Sequence, residues 1–416
     1  MKLGGTAVIL YAPPAAGKDT VTTALGSADP RFRLYRRMKV GDGRTAGYRM
    51  ATADALAELE AARNVIYSNR RYNATYVVDR PELANMLAAA DIPVLHVGQP
   101  EAVAALLSAE PNIRWVVVEL WCPRDVAAAR IEARATGDTQ ARIEAWDATP
   151  RLAIADLRID TSEIAPHTAA QLIAEAVRVS ACTIVVPAMH LIHADGSLDL
   201  AATRQYAKKA GSGWADYILL NGSTTAGDEL APDERVAVLD AWLDAIDPAL
   251  LLACAWSPSD LDAAIGRHVT PMAVLKATNT DAAEQILRDL PPGSTIYSHS
   301  EFGATFTPEL ASWARATGCL PAGGKLAKAR LEDISAIRQA APDFAVWDGS
   351  SRHLRQSAES GAAGVVATPL AAILTNLPAR SVEHIQAAVD AVYAELDQLS
   401  DRAAKRAWLL SRITGE

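Results

Sequence analysis

The sequence predicts an α/β protein of two units: a parallel-sheet domain over 1–180, then a compact (β/α)8 TIM barrel with C-terminal helices over 181–416. Three observations lead there. The 416 residues exceed what one hydrophobic core organises, so two domains are expected. Strand-like apolar runs alternate with Ala-rich amphipathic stretches, the pattern of parallel strands joined by crossover helices. That rhythm closes near residue 180 and restarts, and eight strand candidates follow the restart.

In the first unit the strand candidates are TAVILYA, NVIYS, IPVLHVG and IRWVVVELW, with DRPELANMLAAA and RDVAAARIEARA as helices among them. TAAQLIAEAVRV closes the unit as an amphipathic helix. In the second unit the candidates are CTIVVPAM, DYILLNG, LLLACAW, MAVLKAT, STIYSH, GCLPAGG, FAVWDG and GVVATPL. Helical patterns such as DERVAVLDAWLDAI, TDAAEQILRDL and ARLEDISAIRQAA separate most of them. From Ser381 onward, Ala, Leu and Tyr at helical spacing read as two amphipathic helices that pad the barrel or make an oligomer contact.

Half of the residues are hydrophobic and 21% are charged, so no block has the composition of a disordered tail. The net charge of −9 comes with no Lys/Arg-rich block, which argues against a nucleic-acid footprint but allows small anionic ligands held by a few placed arginines. Cys122, Cys182, Cys254 and Cys319 are scattered without a CxxC pair, so buried free thiols are expected rather than a disulfide framework. His190 and His193 lack an evident third ligand and are assigned no metal role. No apolar run has the length of a membrane helix, and MKLGG leads straight into a strand-like stretch. A cytoplasmic protein without a secretory leader is expected, with no membrane partner.

Directly after the first strand candidate stands Ala12-Pro-Pro-Ala-Ala-Gly17-Lys18-Asp19-Thr20. A strand, a turn of small residues and a helix together aim backbone N–H groups at a phosphate, and a lysine neutralises it. Gly17 and Lys18 fit that pattern, with Asp19 where Ser or Thr usually meets Mg2+ and Thr20 next in line for the metal. The stretch FRLYRRMKVGDGRTAGYRM resembles the guanylate kinase family, through Arg36, Arg37, Arg44 and Tyr48 at its substrate-binding positions. CPRDVAAARIEARATGDTQARIEAW is similar to that family's lid, with Arg130, Arg134 and Arg142 at the phosphate-clamping positions. The resemblance implies a P-loop kinase-like domain using ATP and Mg2+. The guanine-binding residues are replaced, and the Gly-Lys-Asp-Thr variant looks more like the ribose 1,5-bisphosphate phosphokinase branch. A small phosphorylated or hydroxylated metabolite is therefore the expected acceptor. Taken singly, each arginine reads equally well as a solvated helix face.

In a (β/α)8 barrel the chemistry gathers at the C-terminal ends of the strands. Lys325, at the end of an apolar strand, is a candidate Schiff-base amine, because desolvation lowers a lysine pKa and frees the amine to attack a ketone. Tyr297, one strand earlier, is the candidate proton carrier. By residue type alone both also read as core residues, and Lys276 in AVLKAT occupies a comparable place. Gly222-Ser223-Thr224, Tyr297 and Lys325 together resemble the dihydrodipicolinate synthase and N-acetylneuraminate lyase family of class I aldolases. That resemblance implies that Gly222, Ser223 and Thr224 bind the carboxylate of pyruvate or a related 2-oxo acid. It also implies that Tyr297 and Lys325 are catalytic, with no cofactor beyond the lysine. Tyr297 is followed by Ser-His-Ser-Glu-Phe in place of the family's Asn-x-Pro-x-Arg, which argues against dihydrodipicolinate synthesis itself. His299 in that segment is an acceptor-binding group, an extra acid/base or a structural histidine.

The sequence thus predicts a bifunctional homo-oligomer, a small-molecule kinase fused to a Schiff-base aldolase or lyase. The alternative is a single lyase whose N-terminal domain only binds nucleotide as a regulatory or scaffolding module, a reading favoured by Ala12 and Asp19.

Overall fold

The computed structural model describes residues 3–42, 45–71, 74–134 and 138–415. The chain packs as two compact units, Met1–Ala181 with Ala379–Ile385, and Cys182–Pro378 with Gln386–Glu416.

The first unit contains strands β1 (Thr6–Tyr11), β2 (Phe32–Leu34), β3 (Met38–Val40), β4 (Arg49–Met50), β5 (Val65–Arg71), β6 (Ala74–Asp79), β7 (Ile92–Val97), β8 (Arg114–Trp121) and β9 (Leu157–Asp160). Five of them form a parallel sheet in the order β2-β7-β1-β8-β9. The period-two alternation of β1 explains its central place. Val8 and Leu10 enter the core on one face, while Ala7, Ile9 and Tyr11 enter the core on the other. Because β7 and β8 flank β1, the chain reverses direction of growth at β1, and the loop after it opens at the switch point.

The expectation for NVIYS needs a correction. β5 lies in a separate four-stranded sheet, β4-β3-β6-β5, where it pairs antiparallel with β6. Apolar spacing identifies a strand but not its partner, and the next strand follows too soon for a parallel crossover.

In the second unit, β10 (Thr183–Pro187), β11 (Tyr217–Leu220), β12 (Leu251–Ala255), β13 (Thr270–Val274), β14 (Thr295–Ser298), β15 (Gly323–Leu326), β16 (Ala345–Asp348) and β17 (Gly364–Val366) close into a parallel barrel in chain order, a TIM barrel. Val185, Leu219, Leu252, Cys254, Met272 and Val366 pack its interior. The helix Arg402–Thr414 buries Leu409 against Met189, Ala371 and Ala372 of the same unit. No helix among the described residues is long and apolar enough to cross a membrane.

Candidate functional site

Adjacent barrel strands bring Tyr297 and Lys325 together as direct register partners. Both side chains are buried, and the Lys325 Nζ lies 4.4 Å from the centre of the Tyr297 ring. Among the described residues Lys325 has no hydrogen-bond or ion-pair partner; burial pulls its pKa down to about 8, with Cys254 opposing weakly. Burial pushes the Tyr297 phenol up to about 12, and its hydrogen bond with Ser223 works against that. The Ser223 Oγ is 2.9 Å from the Tyr297 hydroxyl, so the turn after β11 is wired to the phenol. Room for the lysine stem depends on Gly349, directly after β16. A Cβ there would stand 3.1 Å from the Lys325 Cε and 3.0 Å from the Ala327 Cα.

Lys276 is different. It is exposed, and its ammonium donates to the Trp256 carbonyl at 3.1 Å. His299, half-buried, stacks at 5.3 Å from the Phe302 ring, and its Nδ1 accepts from the Glu301 N–H. Burial, with the nearby lysines and Arg402, keeps its pKa below the usual histidine value. Gly222 opens the turn, and Thr224 stands beside Ser223 half-buried.

In the first unit a cleft of about 550 Å3 lies over the loop after β1. Ala15 and Gly17 both take left-handed backbone conformations, with φ of 61° and 89°. Such residues alternating with right-handed ones turn successive N–H groups inward. Lys18 begins the following helix and donates to the Ala12 and Pro13 carbonyls at 2.7 and 3.1 Å. Burial lowers its pKa to about 8; Asp19 opposes this, and Arg37 and Arg134 reinforce it.

The cleft brings together Gly17, Lys18, Asp19, Arg37, Tyr48, Arg134 and Arg142 from the predicted set. Arg142 is also paired with Asp138 at 2.7 Å. Three predicted residues stand elsewhere. Arg36 donates to the Tyr48 carbonyl, Thr20 is exposed outside the cleft lining, and Arg130 donates to the Ala15 carbonyl and to Thr161. Arg130 thus braces the loop from behind. Arg44 lies outside the described residues. No group of three His, Cys, Asp or Glu side chains able to hold a metal occurs among the described residues.

No protein-family model matches this chain, and no curated protein does. Similar solved structures include dihydrodipicolinate synthase from Agrobacterium tumefaciens, at 20% identity, covering 56% of this chain and 89% of that one with a TM-score of 0.48. A 2-keto 3-deoxygluconate aldolase from Picrophilus torridus is 18% identical over 56% of this chain and 93% of its own, with a TM-score of 0.48. A Sulfolobus solfataricus 2-keto-3-deoxygluconate aldolase variant in a pyruvate complex is 16% identical over 56% and 86%, with a TM-score of 0.44. The residue roles proposed below rest on the geometry of this chain.

Sequence reasoning overlooked His96, Gly349 and Arg402. His96 is near the C-terminal end of β7 and lines the cleft, with its Nε2 2.7 Å from the Thr22 hydroxyl. Its place near the end of a central strand was the available signal. Gly349 is the last residue of the strand candidate FAVWDG, whereas Arg402 is identified only by its tertiary contacts.

Proposed function

We propose that the barrel is a class I aldolase or lyase that forms a Schiff base with a 2-oxo acid of the pyruvate type. One observation carries this reading: a buried amine with no hydrogen-bond or ion-pair partner among the described residues, beside a phenol that is itself hydrogen-bonded to a Ser-Thr turn. A pKa of about 8 leaves roughly a tenth of the amine neutral at pH 7, against about one in three thousand for an ordinary lysine. The neutral Lys325 nitrogen adds to the ketone carbon, the carbonyl oxygen leaves as water, and the resulting iminium withdraws electrons from the neighbouring C–C bond. Tyr297 supplies and recovers protons at the oxygen, and Gly222, Ser223 and Thr224 hold the carboxylate. His299, packed against the Phe302 and Tyr297 rings, is assigned to acceptor binding.

Incubation with pyruvate and borohydride, read by intact mass and peptide mapping, tests this. A reduced adduct confined to Lys325 and absent in Lys325→Ala is expected. Absence of an adduct with pyruvate and with other 2-oxo acids overturns the reading.

For the N-terminal unit we infer nucleotide binding. Lys18, Arg37, Arg134 and Arg142 suit the phosphates of ATP, and Asp19 suits a Mg2+ ion carried with them. Binding without transfer is the narrower reading, favoured by the exposed Thr20 and by Arg130 bonded to the loop backbone. Phosphoryl transfer to a metabolite held by Arg37 and Tyr48 is the wider one. ATP turnover against a panel of sugar phosphates supports the wider reading, and binding without turnover across the panel supports the narrower.

A further inference from the structure

Ser223 has two roles in the barrel site. Its hydroxyl meets the Tyr297 phenol, while its carbonyl accepts from the Ala226 N–H at 3.1 Å and from the Arg402 Nη2. The same guanidinium forms a forked pair with the Asp228 carboxylate, at 2.6 and 3.2 Å. One planar side chain therefore ties together both ends of the segment 223–228. That segment bends sharply, since Ala226 is held at a φ of 61°. Arg402 opens the helix Arg402–Thr414, which Asp401 caps by accepting from the Ala404 N–H at 2.8 Å. One turn later on the same helix face, Arg406 pairs with Glu229 at 3.2 Å. Leu409 anchors the helix in the apolar cluster described above.

We propose that Arg402 is a positioning residue of the barrel site. Through the Ser223 carbonyl and Asp228 it fixes the turn that receives the substrate carboxylate and orients the Tyr297 phenol. The C-terminal helix is thereby part of the active site rather than padding. This proposal rests on the Schiff-base reading. Both ion pairs are partly exposed, and such a pair alone contributes little; the Arg406–Glu229 pair, in the same helix and loop, supplies the comparison for what Arg402 adds through the Ser223 carbonyl.

The test is the pyruvate dependence of borohydride trapping in the full chain, with thermal melting of each variant. Arg402→Ala is expected to raise the half-saturating pyruvate concentration about tenfold, with the adduct still on Lys325 at saturation. Arg402→Lys recovers part of the loss, because a point charge cannot bridge both partners. Arg406→Ala leaves the pyruvate dependence unchanged. Should Arg402→Ala not fold, Asp228→Asn carries the test, with an increase in the same direction expected. Wild-type pyruvate dependence in both Arg402→Ala and Asp228→Asn overturns the proposal while leaving the aldolase reading intact. An equal effect from Arg406→Ala overturns it too, because the helix would then act only by docking. A wild-type protein that traps no 2-oxo acid removes the aldolase reading and this proposal with it.

Discussion

Lys18 and Lys325 are both drawn by burial from the ordinary lysine range to about 8, yet they are held differently. Lys18 donates to two loop carbonyls and has Asp19 beside it. Lys325 meets an aromatic face and, among the described residues, no acceptor. A lysine tied by carbonyls is fixed as a positive charge, suited to phosphates. A lysine without acceptors loses little on giving up its proton, which suits a nucleophile. The set of partners, more than the depressed pKa, separates the two roles.

The strongest way to break this comparison is to remove each lysine in turn. Lys325→Ala is expected to abolish the trapped adduct, while Lys18→Ala leaves trapping at the wild-type rate; an adduct surviving in Lys325→Ala would end the distinction. Tyr297→Phe is expected to lower aldol turnover by roughly 100-fold to 1,000-fold while the adduct still forms, because the amine remains. Steady-state turnover beside trapping separates the two effects.

Smaller effects sharpen the same contrast. Trapping by the wild-type protein rises with pH, about tenfold from pH 6 to 7, and levels off above a midpoint of about 8, since only the neutral amine reacts. A midpoint near that of free lysine would show an unperturbed amine. The stability effect has the same direction. Between about 8 and the ordinary lysine value of 10.5 the unfolded chain holds a proton that native Lys325 has released, so this residue's contribution to stability rises with pH across that window. Lys18→Ala weakens ATP binding by about tenfold in calorimetric titration. Gly349→Ala, which crowds the Lys325 stem, costs about 1–3 kcal/mol by thermal or denaturant unfolding and slows trapping.

Much of the barrel was legible because its strands are short apolar runs separated by helical patterns. All eight candidates fall at or beside strands β10 to β17. The sixth was offset: GCLPAGG was read as the strand, whereas β15 is Gly323–Leu326 and includes the lysine itself. Lys276 and Lys325 were not separable by spacing: Lys325 lies within β15 and is buried, whereas Lys276 stands two residues past the end of β13 and is exposed. In the first unit the strand, turn and helix around Gly17-Lys18 were legible from an apolar run followed by small residues. The antiparallel sheet was not, because strand pairing depends on contacts distant in sequence. Arg130 shows the same limit: a resemblance set it at a phosphate-clamping position, and only packing shows that it braces Ala15 and Thr161.

The register of β14 against β15 carries a consequence for how the proposed barrel site can change. Lys325 and Tyr297 are paired by backbone hydrogen bonding, so their spacing is a property of the sheet and not of any loop. A slip of one residue would turn one of the pair out of the barrel, an all-or-nothing failure with no partly active intermediate. The segment after β14, beginning at His299, has no such tie to the amine. On the aldolase reading, exchange of that segment would alter the surroundings of the Tyr297 ring, on which His299 and Phe302 pack, while the strand register keeps Tyr297 and Lys325 aligned.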